Sequence, residues 1–348
     1  MPDADAVAAA IKACPFVVVS DITAETDTAR LAHVLLPATA WGEKDGTVTN
    51  SDRTISRQHS VLPRPGKARP DWWILAQVAR RMGHGQAFAW ETEAEIFAEY
   101  AALSGIAGNL GSDFDISDLA LLSRTGYDDL APFTWPQNLR QKGGRFFATG
   151  QFHTPDSRAR MLPITPRAPQ ALTPEHAFRL NIGRIRDQWH TMTRSGKSPR
   201  LSQHLAEPFV EIHPEDAAGL SIQSDDLVEL SNGHGHCILR ALISQSAAPG
   251  QVFAPMHWTA ETASAARIDA LVPGIVDPVS GQPESKAAAV AARLYPAHWF
   301  GFAVSAAPLH PAAEYWARAR VPGGLRCQRI GPDTPASCSR CPMPKLRP

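Results

Sequence analysis

No apolar run in the chain approaches the roughly eighteen residues that a membrane-spanning helix needs, and the N-terminus lacks the basic, apolar, small-residue order of a secretory signal. The expectation is a cytoplasmic protein with no membrane partner. Charge of neither sign is in excess: 34 basic side chains balance 34 acidic ones, which argues against nucleic acid as a partner. Cysteine is scarce, five residues at irregular spacing, so no disulfide framework is written into the chain, and in a reducing compartment these residues are thiols. Internal repeats are absent, and the Pro-rich patches near 61–70 and 163–174 read as loops or linkers. What is present is 348 residues of 44% hydrophobic composition, enough for two to three domains with sizeable cores.

Against that even background one stretch stands out. Residues Ile182, Gly183, Arg184, Ile185, Arg186, Asp187, Gln188, Trp189, His190 and Thr191 crowd a glycine, two arginines, an amide, an indole, an imidazole and a hydroxyl together. They follow a strand-like apolar run, Ala177 to Ile182, and continue neither its alternation nor a helical period. Arginines clamp phosphates in a bidentate fork, a glycine lets backbone approach a ligand closely, and an indole offers a stacking face. The ligand that suits such a loop is flat, polyanionic and rich in hydrogen-bonding groups. The plainer alternative is a surface loop with incidental charge.

The periodicities divide the chain. Residues 1–104 read as α/β: an acidic helix, a buried strand Phe16 to Ser20, a helix from about Thr26 to His33, and a short strand Val34-Leu35-Leu36 stopped by Pro37. This alternation suits a parallel sheet covered by helices. Two further helices are expected, from Trp72 through Met82 and from Thr92 to Leu103, the second opened by a Thr92/Glu95 capping box. Residues 105–170 are weakly patterned and read as a connecting region. From 171 to 305 short strands dominate, among them a Leu227–Leu230, Cys237–Ile243 hairpin marked by Asn232-Gly233 and a buried strand Val252 to Met256. Many short strands punctuated by Gly and Pro predict a β-barrel, and residues 306–348 read as a tail.

These segments together resemble the C-terminal part of the molybdenum oxidoreductases that carry bis-molybdopterin guanine dinucleotide, most closely the assimilatory nitrate reductases. The resemblance rests on Ile182 to Gly196, on Val17 to Asp21 running to Pro37, on Trp41 to Arg53, and on Asp277 to Lys286, four matches in the family's order; the stretch from Trp299 to Trp316 extends it. It implies a Rossmann-like α/β portion followed by a six-stranded double-psi β-barrel. The cofactor implied is molybdenum held by two molybdopterin guanine dinucleotides. The family's four-cysteine iron–sulfur segment and its molybdenum-ligating residue find no counterpart here, so an iron–sulfur cluster is expected only in a part this chain lacks. The expectation is a fragment: either a truncated reading frame or one half of a split enzyme.

Carried over residue by residue, the resemblance implies cofactor contacts at Ser20, Asp21, Lys44, Asp71, the run Ile182 to Thr191, Met256, Asp269 and Lys286, with no catalytic or metal-ligating residue in this chain. Each has a plainer account. Asp21 stands at the carboxyl end of a parallel strand, where open α/β sheets bind ligands, yet it could cap the next helix. Lys44 by itself is a surface lysine, and Asp71 before Trp72 is equally a helix N-cap. Asn50 and Arg53 fall at the family's funnel edge or form a polar turn. Asp269 replaces the family's common Asn, exchanging a donor-and-acceptor amide for an acceptor-only carboxylate and putting its pterin contact in doubt. His234, His236 and Cys237 tempt a metal reading, but alternation in a strand separates Cys237 from the two histidines. Cys327, Cys338 and Cys341 resemble only weakly the extra iron–sulfur module of some assimilatory enzymes.

The function these readings point to is cofactor anchoring in an oxidoreductase that takes nitrate to nitrite, fed by a redox donor protein or subunit. A formate dehydrogenase-like part is the rival within the family, and a stand-alone, non-catalytic molybdopterin-binding subunit is the rival outside it. The run Gly183 to Thr191 is expected to share a cleft with Ser20, Asp21 and Lys44, since large ligands are usually held between domains.

Overall fold

The computed structural model describes residues 1–309 and 311–331. Cys338 and Cys341 lie outside that range. By contacts the chain forms two units, one made of residues 1–17, 25–33 and 166 onward, the other of residues 18–24 and 34–165.

The first unit is built on a closed barrel, as the strand pattern predicts, with the six strands that the resemblance implies. Its strands, numbered along the whole chain, are β6 (Phe178–Gly183), β7 (Phe209–Ile212), β8 (Leu227–Asn232), β9 (Gly235–Ile243), β10 (Gln251–Pro255) and β11 (Ala288–Tyr295). They close in the order β10-β6-β11-β8-β9-β7. Two neighbouring pairs, β6 with β10 and β7 with β9, run parallel and the other four antiparallel. Alternation does the folding here: Leu180, Ile182, Val210, Ile212, Val228, Leu230, Leu239, Val252 and Val290 are each no more than 4% exposed and fill one core. A separate antiparallel sheet follows, in the order β12-β14-β13, from β12 (Trp299–Ser305), β13 (Tyr315–Val321) and β14 (Gly324–Gly331). The stretch from 306 onward, which reads as a tail, thus carries two strands, and Tyr315 and Ala317 bury in the barrel core.

The β8–β9 hairpin sits where Asn232-Gly233 marks it, with a shifted turn. Asn232 pairs with Gly235, leaving Gly233 and His234 as the loop residues. The Asn232 side chain accepts from the His234 amide at 2.9 Å, closing the turn itself. His236 is exposed and Cys237 fully buried, on opposite faces as strand alternation requires.

The N-terminal helix α1 (Ala4–Ala13) packs with this unit: the Asp3 amide donates to the Val272 carbonyl at 3.1 Å and Arg267 pairs with Asp5. Residues 25–33 belong to it too, and here the expected Thr26–His33 helix is corrected to a single tight turn, Ala29–Leu31. Thr26, Asp27 and Thr28 are poor helix formers; the Thr26 hydroxyl accepts from the Ala29 amide at 3.1 Å as an N-cap does, but the turn it opens goes no further than Leu31.

In the second unit the α/β pattern reduces to one parallel pair, β1 (Val18–Asp21) with β2 (Val34–Pro37). Beside it stands an antiparallel sheet of β3 (Gly46–Thr49), β4 (Thr54–Gln58) and β5 (Phe133–Thr134). Helix α2 (Asp71–Ala79) continues through a wider turn to His84, and α3 runs Glu93–Asn109, longer than expected. Thr92 caps α3 by accepting from the Glu95 amide at 3.4 Å, but the Glu95 carboxylate reaches the Glu91 amide instead of closing a box. Ile116 and Tyr127, inside the stretch that reads as a connector, bury with Ile55, Phe97 and Ala101. Apolar residues scattered among Asp, Ser and Gly leave no period to read, yet they pack.

Candidate functional site

Strand β6 ends at Gly183, paired with Pro255 at the end of its parallel neighbour β10. The Met256 amide donates to the Gly183 carbonyl at 2.9 Å, and Lys286 Nζ donates to the carbonyl of Ile182. A side chain on Gly183 would set a Cβ 2.6 Å from the Phe253 ring and 3.6 Å from Lys286 Nζ, so glycine is required by packing. The sequence-selected Ile182, Gly183, Met256 and Lys286 therefore meet at one point, the base of the loop.

From that base the loop is held from beneath. His257 is wholly buried; its Nε2 accepts from the Ile185 amide at 2.9 Å and its Nδ1 meets the His190 carbonyl. The Gln188 side chain, 5% exposed, accepts from Ser195 Oγ at 2.8 Å and donates to the Leu201 carbonyl at 3.4 Å, while Ser195 Oγ accepts from the Trp189 amide at 2.9 Å. Gln188 is thus turned inward with its side-chain amide engaged in support of the loop. The Asp187 carboxylate is gripped by Arg186 at 3.0 and 3.2 Å and lies 2.7 Å from His204 Nδ1. Arg186 holds the Asp187 carboxyl below the usual carboxylate range. Arg186 is thereby spoken for. Two non-glycine residues of the loop, His190 at φ 40° and Met192 at φ 61°, adopt the left-handed conformation, which is sparsely populated and persists where surrounding bonds impose it.

What the loop presents outward is Arg184, Trp189, His190 and Thr191, all exposed. The Arg184 guanidinium lies 5.2 Å from the centre of the Trp189 ring, whose edge meets the His190 ring with centroids 4.5 Å apart. Among the described residues no ion pair or hydrogen bond engages that guanidinium. A free guanidinium, an indole, an imidazole and a hydroxyl make a surface rich in donors, fit for phosphate oxygens and a planar heterocycle.

A second cluster forms in the other unit. Ser20 ends β1, Lys44 follows a short turn at Trp41–Glu43, and Asp71 opens α2. Ser20 Oγ donates to Asp71 Oδ1 at 2.7 Å and Lys44 Nζ stands 3.6 Å from Asp71 Oδ2. The N-cap position belongs to Pro70, and no capping bond involves Asp71, so the plainer account of Asp71 fails. Asp21 accepts from the amides of Ile22 at 2.7 Å and Thr23 at 3.4 Å, folding the chain back just past the strand.

Not every chosen residue joins these clusters. The Asp269 carboxylate pairs with the Met1 amino group, and among the described residues no hydrogen bond links it to the 183–191 loop. Arg53 donates to the Trp135 carbonyl at 2.7 Å and to that of Gly144, with its guanidinium 4.4 Å from the Phe146 ring centre; it clasps the stretch before 150. Sequence reading missed His257 and Ser195. A polar residue directly after a buried strand was the available signal for His257.

The Molybdopterin oxidoreductase family matches residues 1–81 and the Molydopterin dinucleotide binding domain family matches residues 178–289. The chain belongs to the molybdopterin oxidoreductases. It is 44% identical over 333 residues to a nitrate reductase of Klebsiella oxytoca, covering 95% of this chain and 38% of that protein. An F420-dependent formate dehydrogenase 1 subunit alpha of Methanococcus maripaludis is 32% identical, over 76% of this chain and 37% of its own. The chain spans about two fifths of the length of these relatives. In fold it is similar to acetylene hydratase from Pelobacter acetylenicus, with a TM-score of 0.62 and 16% identity over 81% of this chain and 40% of that one. Every sequence-selected cofactor residue lies within the two matched stretches. No helix among the described residues is long and apolar enough to cross a membrane.

Proposed function

We propose that this chain is the cofactor-anchoring, C-terminal part of a cytoplasmic nitrate reductase-like molybdoenzyme that reduces nitrate to nitrite. The observation that carries the reading is the loop after β6, whose donors Arg184, Trp189, His190 and Thr191 face outward while its polar interior is consumed in its own support. That donor set fits the phosphates and guanine of a molybdopterin guanine dinucleotide. Arg184 would take phosphate or pterin oxygens, Trp189 would stack, and Lys286 would add a point charge at the loop's base. Ser20, Lys44 and Asp71, with Asp21 beside them, are proposed as further cofactor contacts; Asp71 holds the Lys44 ammonium in place and accepts from the Ser20 hydroxyl, leaving that oxygen to accept. Asp269 is proposed as a further contact, an acceptor-only carboxylate toward the pterin. When bound, the molybdenum cofactor supplies the two-electron chemistry, and the residues of this chain bind and orient it.

Electron entry and the metal ligand are assigned to another part or subunit, with a redox protein as donor. Expressed as the 348 residues stand, the chain is expected to take up guanine nucleotide yet show no nitrate reduction with reduced viologen. Turnover by the isolated, molybdenum-loaded chain would overturn this division of labour. The 32% identity to a formate dehydrogenase subunit favours a second reading, a formate dehydrogenase-like part. Viologen-coupled assays with nitrate and with formate, on the complex purified through this chain, separate the two; cofactor present with neither activity would favour a non-catalytic binding subunit.

A further inference from the structure

We infer that His257 is the positioning residue of the cofactor loop, a buried neutral imidazole whose two nitrogens fix the backbone at Ile185 and His190. Three observations carry this. The side chain is 0% exposed, so its ring nitrogens have no water to turn to and must be satisfied by the protein. Its Nε2 receives the Ile185 N–H at 2.9 Å; that nitrogen must keep its lone pair, which puts the one proton on Nδ1, facing the His190 carbonyl. And His190 is one of the two loop residues at left-handed φ, 40°, a conformation that needs an external hold.

The two bonds span the segment whose side chains Arg184, Trp189 and His190 point outward. One ring thereby sets the distance between the residue after Arg184 and the residue after Trp189, and so helps hold the guanidinium against the indole. A cofactor contact of this kind works only if the loop is already in place before the ligand arrives, because ordering it on binding would subtract from affinity. His257 touches no ligand group in this account; it acts through the loop. The inference rests on the proposed cofactor role of the loop for its consequence, while the positioning itself is a statement about the chain alone.

The test uses the full chain, with His257→Leu, His257→Gln and His257→Asn, and guanosine diphosphate as the probe. Three quantities are read: hydrogen exchange of the 184–191 amides, probe affinity followed by tryptophan fluorescence, and the tautomer of the wild-type ring from its imidazole nitrogen resonances. Expected are an Nδ1-protonated ring, Ile185 exchange at least tenfold faster in His257→Leu, and probe affinity about tenfold weaker. His257→Gln, whose side-chain oxygen can accept from Ile185, should restore protection there; His257→Asn, which reaches only toward His190, should not. An Nε2-protonated ring, or unchanged 184–191 exchange in the variants, overturns the inference, and the tautomer decides it even if His257→Leu fails to fold. Should the wild-type chain show the expected tautomer and exchange but not bind the probe, positioning stands and the cofactor reading of the loop falls.

Discussion

Two loops leave the ends of parallel strands in this chain, and they rest on different foundations. The loop after β6 springs from a closed barrel, with Leu180 and Ile182 buried beneath it and a wholly buried imidazole bracing its backbone. The turn after β1 leaves a two-stranded pair whose Val18, Val34 and Leu35 are 48%, 37% and 37% exposed, and its cluster of Ser20, Lys44 and Asp71 stands near the surface. A closed barrel removes the unpaired edges that a two-stranded sheet keeps. The difference teaches that geometry for binding is inherited from what lies under a loop: the first is held rigid by buried bonds, the second by exposed ones that water weakens.

The largest effect should come from cutting the first foundation. Leu180→Ala, at a position with no exposure, is expected to cost about 2–5 kcal/mol in urea unfolding, whereas Leu35→Ala in β2 should cost well under half of that because the side chain is already partly in water. Equal losses would erase the contrast. Next in size is Arg184→Lys. The charge survives, but the planar fork and its stacking on Trp189 do not, so affinity for guanosine diphosphate should fall by about 1.5–3 kcal/mol, the range for a hydrogen bond to a charged group, or roughly tenfold or more. Unchanged affinity in a titration would make Arg184 an ordinary surface arginine.

A smaller effect is expected from pH. Burial holds the His257 imidazole below its ordinary value of 6.5, assisted by the nearby charge of Arg184 and opposed by its bond to the His190 carbonyl. The charged or titratable groups acting on the ring are His190 and Arg184. With the folded value depressed, the unfolded chain binds the proton more readily. The contribution to stability is therefore complete above 6.5 and is lost as pH falls through 6.5 toward the folded value. Denaturant midpoints from pH 8 to 5 should show this loss in the parent and not in His257→Gln; parallel curves would remove the titration from His257.

How much of this was legible in advance follows the same contrast. The barrel was readable because buried strands alternate, and alternation survives in Val228–Leu230 and in Val252–Ala254. The Asn232-Gly233 pair located the hairpin but misplaced its turn, since the Asn side chain bonds the His234 amide and moves the bend one residue on. Residues 105–136 hid their core because Ile116 and Tyr127 bury through long-range packing with no local period. At the site, the outward residues of the loop were identifiable by type. The inward ones were not: Gln188 and Arg184 are equally polar in sequence, and only Ser195 and Leu201, brought up from further along the chain, turn the amide inside. His257 carried only the weak signal of a polar residue just after a buried strand, because its partners lie 72 and 67 residues away.

The smallest effect tests the second foundation from the other side. Asp71 gathers Ser20 and Lys44, but the ion pair is long at 3.6 Å and its side chains are 33% and 52% exposed. In that setting solvent screens the charges, and holding two side chains in one geometry costs entropy, so a double-mutant cycle of Lys44→Met and Asp71→Asn should give a coupling of about 0–1 kcal/mol in stability. Ser20→Ala should add no more than about 0.5–1.5 kcal/mol, the net worth of an ordinary hydrogen bond. If the cluster exists to serve a ligand, its removal ought to weaken cofactor retention by more than it weakens the fold. The measurement is paired: coupling energy from urea unfolding, and guanine-nucleotide content after purification under limiting cofactor. A coupling well above 1 kcal/mol with nucleotide content unchanged would make Asp71 a structural clasp, and the contrast between a rigid loop and a lightly held cluster would have to be redrawn with both as scaffolding.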